Sequence, residues 1–510
     1  MIERIIHRPM RKSIKIRTLR IVTFVVAFLL LLNLLGCSKL PGSTPNAEAT
    51  NTPNVISTAE MTSTEIQLPT ESVTETIEPT VNAEPSNKTV YRFEVDLDYN
   101  KHSLLVRQTI QYQNQTGQVL TEIKLVVPPN AKSKVFSLNS LEVFGDATLK
   151  DYSLDGVMLT LQLAQPLSAI GSISISLNYN LNPKMQGGVL GYSAKQLNLS
   201  DWYPFVPPYD LQNGWIIHQP AEVGEYLVYE GADFDLTLNL IDPTGLIVAA
   251  SVDAAPLDLD TYHILAENRR GITLSISDQY TLVTNTIDGI TVKGYVFVGD
   301  EVAGQAAVDY TASALQLYSE LFGLPYPHQT LSVVESDFPD GMEYDGLYYL
   351  SDFYYKNYDS TFQNYLALLS VHETSHQWWF AAVANDQALE PWLDESLATY
   401  SEYLYIERYY PELTNWWWDY RVNYYKPAGR VNLTIYDQTE LRAYINAVYL
   451  QGAVFLDKLR QALGDEVFFA GLKIYTNTYN QQIASWEEFL EVMEPDPSDA
   501  IKTLLQENIK

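Results

Sequence analysis

The sequence predicts a multi-domain α+β protein, with an N-terminal antiparallel β-sandwich domain followed by a mainly helical domain. Three observations support this fold class. The chain has 510 residues, which is too long for a single hydrophobic core. Apolar and polar residues alternate with a period of two from about residue 90. The period then lengthens to helical spacing from about residue 302.

Residues 1–37 have the pattern of a signal peptide. A basic stretch over residues 4–20 precedes an apolar run over residues 21–35. The Leu-Leu-Gly-Cys sequence at residues 34–37 resembles the lipobox of bacterial lipoproteins, in which the cysteine carries the lipid. We therefore expect an exported protein, lipid-anchored to the cell membrane through Cys37 and facing outside the cytoplasm. An uncleaved N-terminal anchor is the alternative, and it leaves the remaining chain on the same side.

Residues 38–88 have the composition of a flexible tether. They contain six prolines and many Thr, Ser and Glu residues, but no aromatic residue. Such a segment cannot bury enough apolar area to order itself, so we predict that it is disordered.

The overall charge limits the possible partners. The formal net charge is −30, which argues against nucleic acid as a partner.

Cys37 is the only cysteine, so no intramolecular disulfide can form. A monomer is expected.

Residues 89–297 are predicted to form the N-terminal β domain. Apolar and charged side chains alternate over residues 91–99, as expected for a half-buried strand. The alternation returns over residues 234–240 and is followed by an Asp-Pro-Thr-Gly turn at residues 242–245.

Residues 298–510 are predicted to form the second domain. Apolar residues recur at helical spacing up to Leu321, and the predicted helix ends at Gly323. A short strand is predicted over residues 331–334, followed by a Pro-Asp-Gly loop at residues 339–341.

Two histidines four residues apart form the most informative motif. On a helix, His372 and His376 lie on one face, with Glu373 beside them. Glu395 follows nineteen residues after His376 and can supply a third ligand. Three protein ligands leave a fourth tetrahedral position for water, which Glu373 can deprotonate. The set predicts one zinc ion per chain, held by His372, His376 and Glu395, and metal-assisted hydrolysis.

The surroundings of the motif predict two buried helices. Apolar residues continue the histidine stripe from Tyr365 to Val383, so the first helix is expected to cover that range. The second helix is expected to begin with Asp394 as its N-cap, to carry Glu395 in its first turn, and to end before Pro411.

Three segments resemble the M1 family of zinc metallopeptidases, the gluzincin aminopeptidases, over about residues 89–510. Trp-Leu-Asp-Glu at residues 392–395 resembles the family's Trp-Leu-Asn/Asp-Glu block. Gly-Met-Glu-Tyr at residues 341–344 resembles its Gly-x-Met-Glu-Asn loop. Tyr-Leu-Gln-Gly at residues 449–452 resembles its Tyr-x-Lys-Gly element. The resemblance implies that residues 298–510 form a thermolysin-like catalytic zinc metallopeptidase domain.

The resemblance also implies roles for residues outside the metal set. Glu343, expected in a loop, would pair with the free ammonium group of the substrate. Gly341 and Met342 of the same loop would align the peptide as an added strand. Tyr449 would stabilise the oxyanion together with zinc.

Several positions depart from the family pattern. Tyr344 stands in place of the usual Asn, Gln451 in place of Lys, and Phe-Ala at residues 380–381 in place of a Gly-Asn pair. Aromatic residues between 202 and 215 occupy the region of the family's second amine anchor, and we identify no anchor there. The 115 residues beyond the third ligand are too few for the family's large C-terminal helical domain, so an open cleft is expected.

These observations predict a zinc-dependent aminopeptidase that removes N-terminal residues from short peptides outside the cytoplasm. One alternative is a thermolysin-like endopeptidase, which shares the helix motif. Another is a non-catalytic peptide-binding lipoprotein that retains a peptidase fold, because lipid anchors are common on solute-binding proteins. Comparing amino-blocked with free peptides tests the first alternative, and metal analysis tests the second.

Overall fold

The computed structural model describes residues 88–186 and 188–509. The predicted signal peptide, nearly all of the tether, and Cys37 lie outside these residues. Strands dominate the described chain up to residue 297, and helices dominate from residue 301 onward. This order confirms the predicted α+β class. Within the described residues, no helix has the length and apolar character needed to cross a membrane.

The first strand shows how side-chain alternation builds the β region. The strand Val90–Asp98 buries its odd-numbered residues from Tyr91 to Leu97, each at most 4% exposed. It pairs antiparallel with Ser103–Gln113 and parallel with Ala232–Ile241. A shift of one residue would turn the apolar side chains toward solvent, so burial determines the register.

Three sheets share one hydrophobic core in the β region. A seven-stranded sheet has the order β14-β15-β12-β1-β2-β7-β4, a four-stranded sheet the order β13-β16-β9-β8, and a three-stranded sheet the order β3-β6-β5; β10 and β11 form a separate pair. The strands are β1 Val90–Asp98, β2 Ser103–Gln113, β3 Leu120–Val126, β4 Phe136–Gly145, β5 Leu149–Asp155, β6 Met158–Leu167, β7 Ser172–Leu181, β8 Leu190–Tyr192, β9 Leu197–Leu199, β10 Tyr209–Asp210, β11 Gly214–Trp215, β12 Ala232–Ile241, β13 Ile247–Ala250, β14 Ala255–Pro256, β15 Thr261–Arg269 and β16 Leu274–Ser277.

A further five-stranded sheet lies next to the helices. Its order is β17-β18-β19-β21-β20, so strands from both sides of residue 297 belong to one sheet. The domain boundary predicted between residues 297 and 298 therefore falls inside this sheet. Its strands are β17 Tyr280–Ile287, β18 Ile290–Phe297, β19 Thr330–Ser336, β20 Gly341–Tyr344 and β21 Leu347–Ser351.

Glu343 lies in the edge strand β20 rather than in the predicted loop. The turn at Asp345 and Gly346, with Gly346 at φ 86°, lets β20 pair antiparallel with β21. The Pro-Asp-Gly sequence at residues 339–341 correctly indicates that the chain bends there, and its glycine is the first residue of β20. It does not show that a short strand follows at once.

The helical region begins as predicted. The helix α1 covers Glu301–Phe322 and ends at Gly323, which has a left-handed φ of 68°. The other helices are α2 Asp352–Lys356, α3 Tyr365–Ser375, α4 Trp392–Tyr409, α5 Thr414–Trp416, α6 Leu441–Ile445, α7 Gly452–Leu463, α8 Asp465–Thr478, α9 Trp486–Met493 and α10 Asp499–Asn508, with 3-10 turns at Pro128–Ala131, Pro411–Leu413 and Asn423–Tyr425 and π-helical turns at Trp417–Val422 and Asn446–Gln451.

The predicted extension of the histidine helix to Val383 is wrong, because α3 ends at Ser375. The chain then turns, and the backbone N–H of Phe380 donates to the carbonyl of Val383. Trp379 and Val383 are nevertheless 1% and 3% exposed. Their apolar pattern therefore reports burial rather than continued helix.

The prediction of Asp394 as an N-cap is also wrong. The helix α4 begins at Trp392, directly after Pro391, so Asp394 and Glu395 both lie in its first turn. Proline is compatible with a helix start because the first turn needs no donor there. The helix ends at Tyr409, before Pro411 as predicted.

Candidate active site

The three predicted metal ligands come together where α3 and α4 pack against each other. His372 lies in the last turn of α3, His376 follows that helix directly, and Glu395 lies in the first turn of α4. Nε2 of His372 is 3.3 Å from Nε2 of His376 and 3.4 Å from Oε2 of Glu395. The corresponding distance between His376 and Glu395 is 3.7 Å. Each residue is at most 4% exposed.

This donor set fits zinc. Ligand atoms about 2.0–2.1 Å from a tetrahedral ion lie about 3.3–3.4 Å from one another. Oε2 of Glu395 is buried and has no hydrogen-bond partner among the described residues, as expected for an oxygen that faces a cation. Glu343, Glu373 and His376 also have ligand atoms within 4.8 Å of one another. That group offers one imidazole and shares His376, so we assign a single ion position to the two groups.

Hydrogen bonds orient both imidazoles. Nδ1 of His376 is 2.9 Å from the carbonyl oxygen of Trp379, and Nδ1 of His372 is 3.0 Å from Oε1 of Glu402. When the proton of each imidazole is on Nδ1 and is donated to one of these oxygens, Nε2 keeps its lone pair and can bind a metal. Burial lowers the pKa of His376 to about 4, which favours the neutral imidazole that metals bind.

Glu402 supports the site, and the sequence analysis missed it. Its carboxylate is fully buried and accepts hydrogen bonds from Nε and Nη2 of Arg421 at 2.9 and 2.8 Å and from Nε1 of Trp417 at 2.9 Å. Burial acts to raise its pKa, but Arg421 and His372 together lower the pKa of Glu402 to about 2. The carboxylate therefore stays ionised behind His372. Its position seven residues after Glu395, two turns along one helix face, is the signal that would have identified it.

We expect Glu402→Gln to weaken zinc binding about 10- to 100-fold. The amide cannot balance the buried charge of Arg421 and holds the His372 ring less firmly. Competition between a metal indicator and the metal-free protein measures the effect without any assay of activity. Glu407→Gln is the control, because Glu407 pairs with Arg460 at the surface of the same helix. Equal affinity in the Glu402 and Glu407 variants would contradict this role.

Glu373 faces the same space from α3. It is 4% exposed, and its buried Oε2 has no hydrogen-bond partner among the described residues. Burial raises the pKa of Glu373 to about 8, although His372 opposes the shift. A Cβ built at Gly341 would overlap Oε1 of Glu373, so a glycine is needed for this close approach of β20.

Tyr449 lies in the π-helical turn Asn446–Gln451, close to the metal ligands. Its hydroxyl donates to Oε1 of Glu395 at 2.6 Å, and its ring is parallel to that of His372 with centroids 6.3 Å apart. Burial and the charge of Glu395 raise its pKa well above the usual value for tyrosine. Tyr449 is therefore a protonated donor next to the predicted ion position.

Glu343 lies on the strand that contacts Glu373. It is 5% exposed, and its Oε1 is 3.4 Å from the side-chain amide of Gln387. Burial and the carboxylates of Glu395 and Glu225 raise its pKa well above the usual value. Its neighbour Met342 is partly buried against the aromatic cluster under the sheet. Glu343 is thus a buried carboxylate whose side chain has one weak hydrogen-bond partner, Gln387, among the described residues.

Glu225 is a second carboxylate that the sequence analysis missed. It comes from the β region and lines a cavity together with Met342 and Glu343. Burial and the charge of Glu395 raise its pKa to about 8. Trp202 and Tyr203 lie in the part of the sequence that corresponds to the family's second amine anchor. In the structure both residues are buried in the β core. A lone glutamate in a segment without periodicity gives no spacing signal.

Two histidines and a glutamate around one ion position, with the buried carboxylate of Glu373 beside them, form the arrangement expected of a metallopeptidase. Residues 306–508 match the Peptidase family M1 domain. Over these residues the chain is similar to the M1 family of metallopeptidases.

Several plant and bacterial proteins are similar to the chain. It is 28% identical to Aminopeptidase M1-D of Oryza sativa subsp. japonica over 298 residues, which cover 54% of this chain and 34% of the relative. It is 27% identical to Aminopeptidase M1 of Arabidopsis thaliana over 235 residues, covering 43% and 27% of the two chains. It is 25% identical to Aminopeptidase N of Lactobacillus helveticus over 265 residues, covering 48% and 31%. The matched region thus spans about a third of each relative.

Proposed function

We propose that the protein is a zinc-dependent aminopeptidase that removes N-terminal residues from short peptides. The observation that carries this proposal is the position of Glu343, which is buried, and Glu225, which is partly buried, lining one cavity beside the predicted zinc ligands. Neither carboxylate has a cationic partner among the residues that line that cavity. A substrate ammonium group would supply this partner. The relatives' names, all aminopeptidases, support the same proposal.

The mechanism follows from the chemistry of the residues around the ion position. His372, His376 and Glu395 would hold zinc, which when bound polarises the scissile carbonyl and makes water more acidic. Glu373 takes a proton from the attacking water and later passes it to the leaving amine. The Tyr449 hydroxyl donates a hydrogen bond to the oxygen that becomes negative as water adds.

Substrate alignment is assigned to the edge strand. One side of β20 pairs with β21, and no other strand of the sheet pairs with its opposite side. An extended peptide can add there by backbone hydrogen bonds, with Gly341 and Met342 along its path. Its amino end would then lie near Glu343. A peptide with a blocked amine would bury these carboxylates without a cation, which favours removal of N-terminal residues over internal cleavage.

The test compares one fluorogenic peptide with a free amino terminus and the same peptide N-acetylated. We expect hydrolysis of the free peptide only, its loss when a chelator removes zinc, and recovery when zinc is added. Equal cleavage of both peptides would instead indicate an endopeptidase. Absence of both hydrolysis and stoichiometric zinc would indicate a peptide-binding protein.

We also propose that the protein is exported and held at a membrane by a lipid on Cys37. The basic stretch, the apolar run and the Leu-Leu-Gly-Cys sequence of residues 34–37 support this proposal. Short peptides outside the cytoplasm would then be the substrates. Membrane fractionation of the Cys37→Ala variant tests the anchor.

A further inference from the structure

The cavity beside Glu343 holds a third carboxylate that the proposed mechanism does not use. The cavity has a volume of about 190 Å³, and Leu227, Met342 and Phe380 contribute to its apolar walls. Asp201 lines it together with Glu225 and Glu343. Asp201 has its own hydrogen-bond partners, Tyr229 and Tyr344, and it shares none with the two glutamates in the described structure. Its charge nevertheless contributes to raising the pKa of Glu225.

The partners of Asp201 are neutral. Its Oδ1 accepts a hydrogen bond from the Tyr229 hydroxyl at 2.7 Å, and its Oδ2 accepts one from the Tyr344 hydroxyl at 3.1 Å. Among the described residues that line the cavity there is no Lys, Arg or His. Burial raises the pKa of the Asp201 carboxyl, while the two tyrosines act to lower it. Asp201 is partly buried, and a carboxylate withdrawn from water is normally paired with a cation.

Arg270 does not neutralise Asp201, although both line an adjoining small cavity. The guanidinium of Arg270 donates to the backbone carbonyls of Ala381, Tyr229 and Gln482 at 2.8 to 3.0 Å. No ion pair joins Arg270 to Asp201 in the described residues. The negative charge of Asp201 is therefore available to a ligand.

Phe380 is held against this cavity in a strained conformation. Its φ is 145°, in a region that residues other than glycine rarely adopt. Such strain persists only where the surrounding structure requires it, and it clusters at functional sites. Tyr344, which holds Asp201, and Phe380 are both positions where the sequence departs from the M1 pattern. These two departures thus lie together around one cavity, whereas Gln451 does not line it.

We propose that this cavity receives the side chain of the substrate's first residue and that Asp201 selects a basic side chain, lysine or arginine. The inference rests on the proposed function. The methylene groups of a basic side chain match the apolar walls, and its charged end matches a carboxylate. Glu343 and Glu225 remain for the ammonium group of the same residue. The substrate class is therefore peptides with an N-terminal basic residue.

The test measures kcat/KM for lysyl, arginyl, norleucyl and glutamyl reporters with the zinc-loaded protein. Norleucine is the critical comparison, because it is a straight apolar chain without the charged end of lysine. We expect the lysyl and arginyl reporters to exceed norleucyl by about tenfold or more, and glutamyl to be lowest. In Asp201→Asn, the ratio of lysyl to norleucyl should fall toward one.

A matched control tests whether a change in the ratio of lysyl to norleucyl hydrolysis is specific to Asp201. Asp242→Asn introduces the same substitution at an exposed turn residue with φ 56°, close to the φ of 51° at Asp201. We expect it to keep the wild-type ratio. If the Asp201→Asn substitution only impaired folding, the lysyl and norleucyl rates would fall together and their ratio would not change. The comparison of reporters with the wild-type protein does not depend on how the variant folds.

Each outcome decides a separate question. A wild-type enzyme that hydrolyses norleucyl as well as lysyl reporters would overturn this inference and leave the aminopeptidase proposal intact. An unchanged ratio in a folded Asp201→Asn protein would overturn the role of Asp201. No hydrolysis of any free-amino reporter would overturn the proposed function, and this inference with it.

Discussion

Glu373→Gln is expected to reduce kcat by about 10²- to 10⁴-fold while the protein still binds zinc. Glutamine has nearly the same shape as glutamate, but it cannot accept the proton of the attacking water. The three ligands His372, His376 and Glu395 remain unchanged in this variant. Zinc content measured on the purified variant, together with kcat for a free-amino reporter, separates loss of the base from loss of the metal.

The control for this variant is Glu466→Gln, an exposed glutamate in the first turn of α8. It removes one negative charge from the same chain at a distant surface, and we expect wild-type kcat. Near-normal turnover by Glu373→Gln would remove Glu373 from the mechanism. Loss of zinc together with activity would instead give Glu373 a role in metal binding.

Tyr449→Phe is expected to reduce kcat by about 10²- to 10³-fold, with a smaller change in KM. The phenyl ring keeps the packing against His372, and only the hydroxyl is lost. That hydroxyl donates to Glu395 in the described structure and would donate to the developing oxyanion during the reaction. Since the oxyanion forms only in the transition state, kcat should fall more than substrate binding.

Tyr444→Phe provides a neighbouring control. The ring of Tyr444 lies 6.0 Å from that of Tyr449, and its buried hydroxyl has no hydrogen-bond partner among the described residues. Removing it should leave kcat within a few-fold of wild type. If both variants lost activity equally, general packing rather than oxyanion stabilisation would explain the effect. Zinc analysis of Tyr449→Phe checks that Glu395 still binds the metal.

Part of the active site could be predicted because its residues are close in sequence. His372, Glu373 and His376 lie within five consecutive residues, so helical spacing alone places them on neighbouring positions. Tyr449 lies 54 residues from Glu395, and its proximity was inferred only from the resemblance of its segment to the M1 family. The structure places its hydroxyl beside Glu395.

Other parts of the site depend on contacts that local patterns do not encode. Glu402 meets Arg421 because the chain turns back after α4, and neither residue belongs to a family motif used in the sequence analysis. Asp201 and Tyr344 are separated by 143 residues along the chain. Glu225 comes from the β region and lines the same cavity as Glu343, which belongs to another part of the fold.

The sequence by itself determined the α+β class, the half-buried strand at residues 90–98, the helix end at Gly323 and the chemistry expected of the His-Glu-x-x-His helix. Each depends on interactions between residues a few positions apart, where period and turn geometry are enough. Only the tertiary structure decided that the histidine helix stops at Ser375, that Glu343 lies in an edge strand, and that three carboxylates share one cavity. Those features depend on which distant segments pack together, because the burial and charge of each side chain come from neighbours that local sequence does not specify.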